Sequence, residues 1–219
     1  YIAISVGEVS KLKFNDYFVQ EGLAFRFTPF NYRVWGDAEG DNGYAVDIEK
    51  LYDNVMNRYK YGGLDTPGLY LDETTLRTCY YHRRLFAQLA KELIKQGDHV
   101  RARKVLTYAE QAVPAYNVPE IYESGSFDIA TAYAALGEKT KAVTLFNHLI
   151  AESEDYINWA FSLGNGRTGM MQNDCLYKFW QWNAYNERMK EIDKESYEAS
   201  NRRFEEKYAL FTQIINNRN

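Results

Sequence analysis

The apolar residues of this chain change their rhythm near residue 43. Before it they come in short, partly alternating runs, YIAISV and LAFRFTPF, with the period of half-buried strands. Between those runs, LKFNDYFVQEG is spaced to make a short helix ending at Gly22. The segment GDAEGDNG, Gly36–Gly43, has three Gly, three acids and a single apolar residue, Ala38, and reads as an exposed loop and an internal boundary. From Asp47 onward the apolar residues recur at three and four, the period of a helix packed on one side.

The first such helix, DIEKLYDNVMNRYKYGG, carries Ile48, Leu51, Tyr52, Val55, Met56 and Tyr59 on one side, with Asp47 placed to cap it and Gly62–Gly63 to stop it. After a loop containing Pro67, TTLRTCYYHRRLFAQLAKELIKQ spaces Leu76, Cys79, Leu85, Phe86, Leu89, Ala90 and Leu93 along one long helix. Gly97 ends that helix and Asp98 caps the next, so the pair is predicted to fold as an antiparallel hairpin.

The pattern then repeats. LIKQGDHVRARKVL is answered forty residues on by YAALGEKTKAVTLF, with Gly97 matched to Gly137, Ala102 to Ala142 and Leu106 to Phe146. Phe86, Leu89, Ala90, Leu93, Gly97, Ala102, Leu106, Ala109 and Pro114 fall at the spacing of a tetratricopeptide (TPR) hairpin, as do Ile129, Ala130, Tyr133, Gly137, Ala142, Phe146 and Leu149. Small Ala residues let helix backbones approach while bulky residues fill the grooves beside them. The period departs from the usual 34 or so, with the surplus in PAYNVPEIYESGS, and Ser126 stands where a large aromatic is expected, with Phe127 beside it.

The predicted fold is therefore mainly α, a TPR-like antiparallel helix-hairpin stack (an αα superhelix) behind a small strand-containing N-terminal lead-in. The lead-in and exposed loop occupy residues 1–43 and the helical domain 44–219, with repeat units at about 75–114 and 122–155. Two hairpins leave apolar faces that only neighbours can bury, so flanking helices are required. The Asp47 helix, MMQNDCLYKFWQWNAYNERMKEI and the charge-laced KESYEASNRRFEEKYALFTQII are the candidates, the last with Tyr197, Phe204, Tyr208, Phe211 and Ile215 on one face as a cap.

Charge and composition remove several functions. A net charge of −4 and a pI near 5.5 argue against a nucleic-acid surface, which needs clustered Lys and Arg. No apolar run approaches the roughly 18–20 residues of a membrane-spanning helix. The chain opens at Tyr1 in a strand-like run without a basic leader, which suggests a fragment of something longer. Cys79 and Cys175 are too few for a disulfide scaffold or zinc site and read as buried free thiols, though an oxidising compartment would permit one bridge.

Catalytic signatures are missing. His82, His99 and His148 stand singly, and there is no HExxH, GxSxG, Walker or Rossmann motif. The acidic pairs Asp72–Glu73 and Glu154–Asp155 read as solvated turns or helix ends, and GNGRTG, with Arg167, as a flexible turn. No catalytic residue, metal site or cofactor is predicted, and the chain is not expected to be an enzyme by itself.

FNDYFVQEGLAFRFTPF, DIEKLYDNVMNRYKYGG, LYLDETTLRTC and QNDCLYKF together resemble the C-terminal extracytoplasmic region of multi-pass membrane proteins of the Bacteroidetes that are similar to transmembrane protein O-mannosyltransferases. The resemblance spans about Phe14 to Lys178. It implies a transmembrane region upstream of Tyr1, a glycosyltransferase-like parent, a location on the periplasmic side of the inner membrane, and a compartment in which a Cys79–Cys175 bridge is permitted. It transfers no catalytic residue.

The expected function is accordingly an extracytoplasmic binding or positioning domain that takes a polypeptide acceptor or protein partner on the concave face of the helix stack. Tyr80, Arg83, Arg84, Gln88, Asp128 and Thr131 are predicted to line that face. A glycan-binding module using Trp159, Trp180 and Trp182 for stacking is the alternative, and a purely structural or assembly domain is the third reading.

Overall fold

The computed structural model describes residues 1–6, 15–31 and 44–216 of the chain. The fold is mainly α with a small strand lead-in, as the apolar pattern predicts. The chain divides into two compact units, Tyr1–Pro119 and Glu120–Asn219. The loop expected at Gly36–Gly43 lies outside the described residues.

The first unit opens with four short strands, β1 (Ile2–Ala3), β2 (Phe18–Gln20), β3 (Ala24–Phe27) and β4 (Ala45–Val46), in the order β1-β3-β2-β4. The β4 strand runs parallel to β2 and the other pairings are antiparallel. Strand β2 corrects the helix predicted to end at Gly22. All three of its residues are buried, and Phe18 lies opposite Phe27 with the rings edge-on at 5.6 Å. An amphipathic helix would expose one side of this run, whereas a strand covered on both faces buries it whole.

Glu21 fastens this sheet to the first helix. Its buried carboxylate accepts from Arg26, from Lys50 Nζ at 2.9 Å and from the Tyr1 hydroxyl at 3.1 Å. Burial alone would raise this carboxyl, but the hydrogen bonds from Lys50 and Arg26 hold it below its usual range. Helix α1 (Ile48–Asp53) starts where the Asp47 side chain accepts from the Lys50 amide, and it continues into a π-helical turn, Asn54–Arg58, closed by Tyr59 N–H on Asn54 O at 2.8 Å.

Helix α2 (Glu73–Lys95) follows, packed on α1 and capped by Asp72, which accepts from the amides of Thr74 and Thr75. The acidic pair Asp72–Glu73 thus marks a helix start. Helix α3 (His99–Ala112) is capped by Asp98 and returns along α2.

The second unit holds α4 (Ser126–Ala135), α5 (Lys139–Ser162), α6 (Asn165–Met170), α7 (Gln172–Ile192) and α8 (Lys194–Asn216). Helix α5 packs against α4 and α7, and α8 covers α7. The segment GNGRTG, predicted to be a flexible turn, is mostly α6, whose Thr168 is buried and donates to Ala160 O at 2.8 Å. In α8 the buried stripe runs through Ser200, Phe211 and Ile214, and the rings of Phe204 and Tyr208 lie edge-on to Phe179 of α7 at 5.6 and 5.1 Å.

The two hairpins repeat down to their hydrogen bonds. At the end of α2, Gly97 N–H donates to Ile94 O and Asp98 N–H to Leu93 O; at the end of α4, Gly137 N–H donates to Ala134 O and Glu138 N–H to Tyr133 O. Each is a Schellman motif with its glycine at φ 78° and 77° respectively. Ala90, Ala102, Ala130 and Ala142 are all fully buried, as the close approach of paired helices requires. The repeat breaks at Ser126, whose hydroxyl lies 2.9 Å from that of Ser124, while the neighbouring Phe127 packs on Phe146 at 6.0 Å.

Candidate binding surface

The predicted concave-face residues fall in both units and are placed very differently. In the first, Arg83 is 3% exposed and belongs to the interior. Its guanidinium donates to Val113 O at 2.9 Å, Val118 O at 2.5 Å and Pro119 O at 2.6 Å. Val113 closes α3, and Val118 and Pro119 belong to the long link that stretches the repeat to forty residues, so the Arg83 guanidinium is engaged in fixing that link. The same link is tied elsewhere by Asn117, whose amide donates to Leu64 O and Thr66 O, and by Tyr116, whose hydroxyl donates to Asp65 O.

Gln88 is engaged as well, its amide donating to Gln20 Oε1 at 2.9 Å and so joining α2 to β2. Tyr80 is half-buried, and Arg84 is exposed with its guanidinium 5.5 Å from the centre of the Tyr81 ring. Of the four residues predicted from α2, Tyr80 and Arg84 remain at the surface.

In the second unit the Thr131 hydroxyl donates to Phe127 O, one turn back on α4, and Asp128 is exposed. The tryptophans separate. Trp182 is fully buried, with Nε1 donating to Ser200 Oγ at 2.8 Å and that hydroxyl donating to Asn186 Oδ1 at 2.6 Å, so its stacking role is excluded. Trp159 and Trp180 are half-exposed, at 50% and 51%.

Trp180 is part of a cluster. Its ring lies parallel to that of Tyr177, with centroids 5.7 Å apart and an interplanar angle of 13°, and edge-on to Tyr122 at 5.3 Å. Tyr177 and Trp180 are three apart on α7, the spacing that places two side chains on one helix face. Tyr122 comes from the one-turn segment Tyr122–Ser124 that precedes α4, and its ring also touches Phe127 and Tyr185. Burial raises the Tyr122 hydroxyl above its ordinary value, and the nearby charges of Asp128 and Glu123 push it further the same way. The hydroxyl stays protonated at neutral pH.

Tyr122 thus brings together two residues expected in different roles, Asp128 and Trp180. Neither Tyr122 nor Tyr177 is among the predicted binding residues. The three-residue spacing of Tyr177 and Trp180 was a usable signal, whereas Tyr122 sits in the link, which carries no period.

The buried Gln181 donates to Glu123 Oε1 at 3.0 Å, tying α7 to the turn that holds Tyr122. Lys178 donates to both carboxylate oxygens of Glu152 at 2.9 Å and lies 5.7 Å from the Tyr156 ring, which in turn is edge-on to Trp159 at 5.4 Å. These contacts join α5 to α7 and hold the aromatic side chains in place.

Among the described residues no group of acids, histidines and cysteines is arranged to hold a metal ion, and no helix is long and apolar enough to cross a membrane. Cys79 and Cys175 are both buried and free, each thiol pushed up by burial. Compared with protein families, curated proteins and solved structures, the chain matches none.

Proposed function

We propose that the chain is a binding and positioning module for a polypeptide partner, and that the second unit meets this partner through Tyr122, Tyr177, Trp180 and the adjacent Asp128. The observation that carries the reading is the exposure of Trp180 and Tyr177 as a parallel pair backed by Tyr122. Aromatic side chains held by their neighbours lose little freedom on binding and dominate the energetics of protein interfaces. The acids beside them favour a partner segment carrying basic groups. The wider context follows the resemblance: a periplasmic appendage of a membrane-embedded glycosyltransferase-like protein, with the acceptor polypeptide as the natural partner.

The test is selection of peptides from a displayed library on the full chain, followed by affinity measurement on Trp180→Ala. Selected peptides should bind the variant roughly 30-fold less tightly, a loss of about 2 kcal/mol. An unchanged affinity, with the circular dichroism of the variant also unchanged, excludes this surface.

A further inference from the structure

The first unit contains a cleft of about 370 Å³ lined by Tyr59, Tyr61 and Tyr108 together with Asn57, Asp65 and Gln111. That volume lies at the lower end of ligand sites, which run from roughly 300 to 1,000 Å³. The walls are built before any ligand arrives. The Tyr61 hydroxyl donates to Val55 O at 2.6 Å, and the Tyr59 hydroxyl accepts from Leu23 N–H at 2.9 Å. Both hydroxyls are therefore spent on the fold, and the Tyr61 ring is itself packed on His82 and Phe86 at 5.2 and 5.5 Å, so what these residues offer the cleft is the ring surface those contacts leave open. The Tyr61 and Tyr108 rings meet at 76° with centroids 6.0 Å apart, so two aromatic walls stand nearly at right angles.

The rest of the lining is equally fixed. The turn that carries Asp65 is clamped from the link after α3 by Asn117 and Tyr116. Asn57 belongs to the π-helical turn that follows α1, and such turns recur at functional sites. Among the lining residues, the exposed Gln111 carboxamide offers both donor and acceptor and the exposed Asp65 carboxylate offers acceptors only.

We infer that this cleft binds a neutral pyranose, one ring face lying on a tyrosine wall and the hydroxyl edge meeting Gln111, Asp65 and Asn57. A sugar ring combines the two surfaces the cleft presents, an apolar C–H face and a rim of hydroxyls that each donate and accept. Lys60 and Asp65 balance in charge at this cleft, which suits a neutral ligand over a phosphorylated one. The inference is independent of the polypeptide surface on the second unit.

Saturation-transfer NMR on the full chain with methyl pyranosides of glucose, galactose and mannose, and with maltose and cellobiose, tests it. Transfer is expected from at least one of these, with a dissociation constant on the order of 1 mM. Ring-proton shifts in tyrosine-labelled protein should fall on Tyr59, Tyr61 and Tyr108. The exposed double variant Asp65→Ala, Gln111→Ala should bind at least about tenfold more weakly. The site is overturned by absence of transfer from every sugar, by transfer that survives the double variant, or by preference for N-acetyl-tyrosinamide, which would mark a pocket for a peptide side chain.

Discussion

Arg83→Met would take the guanidinium from Val113, Val118 and Pro119 and leave three carbonyl oxygens facing a thioether chain. An unpaired buried acceptor costs about 1–3 kcal/mol, so with partial relaxation of the link we expect about 3 kcal/mol of destabilisation by urea unfolding. Arg83→Lys keeps the charge but loses the planar fork, and should fall between the variant and the native protein. His82 gives a pH dependence. Its Nδ1 is buried without a hydrogen-bond partner, and burial holds the imidazole below its ordinary value of 6.5. The unfolded chain takes up the proton more readily than the folded one, so this contribution to stability is complete above that value and is lost as the pH falls below it. The urea midpoint should drop between about pH 7.5 and pH 5.5, and His82→Phe, seated among Tyr59 and Tyr61, should remove part of the drop. A His82→Phe protein with the native slope would place its origin elsewhere.

Between α2 and α3, and again between α4 and α5, the chain turns on a glycine in the left-handed region with open space around it. An alanine there meets no neighbour, so its cost is backbone strain alone, about 1–2 kcal/mol. Gly97→Ala and Gly137→Ala should therefore destabilise by nearly equal amounts, and the double variant by their sum within about 0.5 kcal/mol, measured by chemical unfolding. Unequal values would mean that the two turns are alike in form only. These turns were legible in the sequence because a Schellman motif is local: glycine, the residue after it and the last helical turn define it. Strand β2 was not, because Phe18, Val19 and Gln20 reveal burial on both faces only once β3, β4 and the rest of the unit are in place. The cap helix α8 stands between these cases. Its apolar face was readable, but burial falls on Ser200, Phe211 and Ile214, while Tyr208 of the same predicted face stays 43% exposed, because the rest of the unit covers only part of that face.

For the molecule as a whole, residues at the proposed binding surface were harder to read than the fold, and Trp180 and Trp182 show why. They lie two apart on α7, hence on opposite sides of it, and the period alone says that one is inside. Which one depends on α8, whose Ser200 receives the Trp182 indole. Arg83 failed for the same reason: a cation predicted at a surface lies under a link that has no period of its own. That staple also sets where the chain can be divided. Its outermost bond is to Pro119, the last residue of the first unit. A gene truncated upstream of Val113 would encode a core cation stripped of these three partners, and one ending between Val113 and Val118 would keep one or two. Any N-terminal fragment meant for expression must run through Pro119, seven residues past the last helical residue, Ala112, where a boundary chosen by helix ends alone would have been drawn.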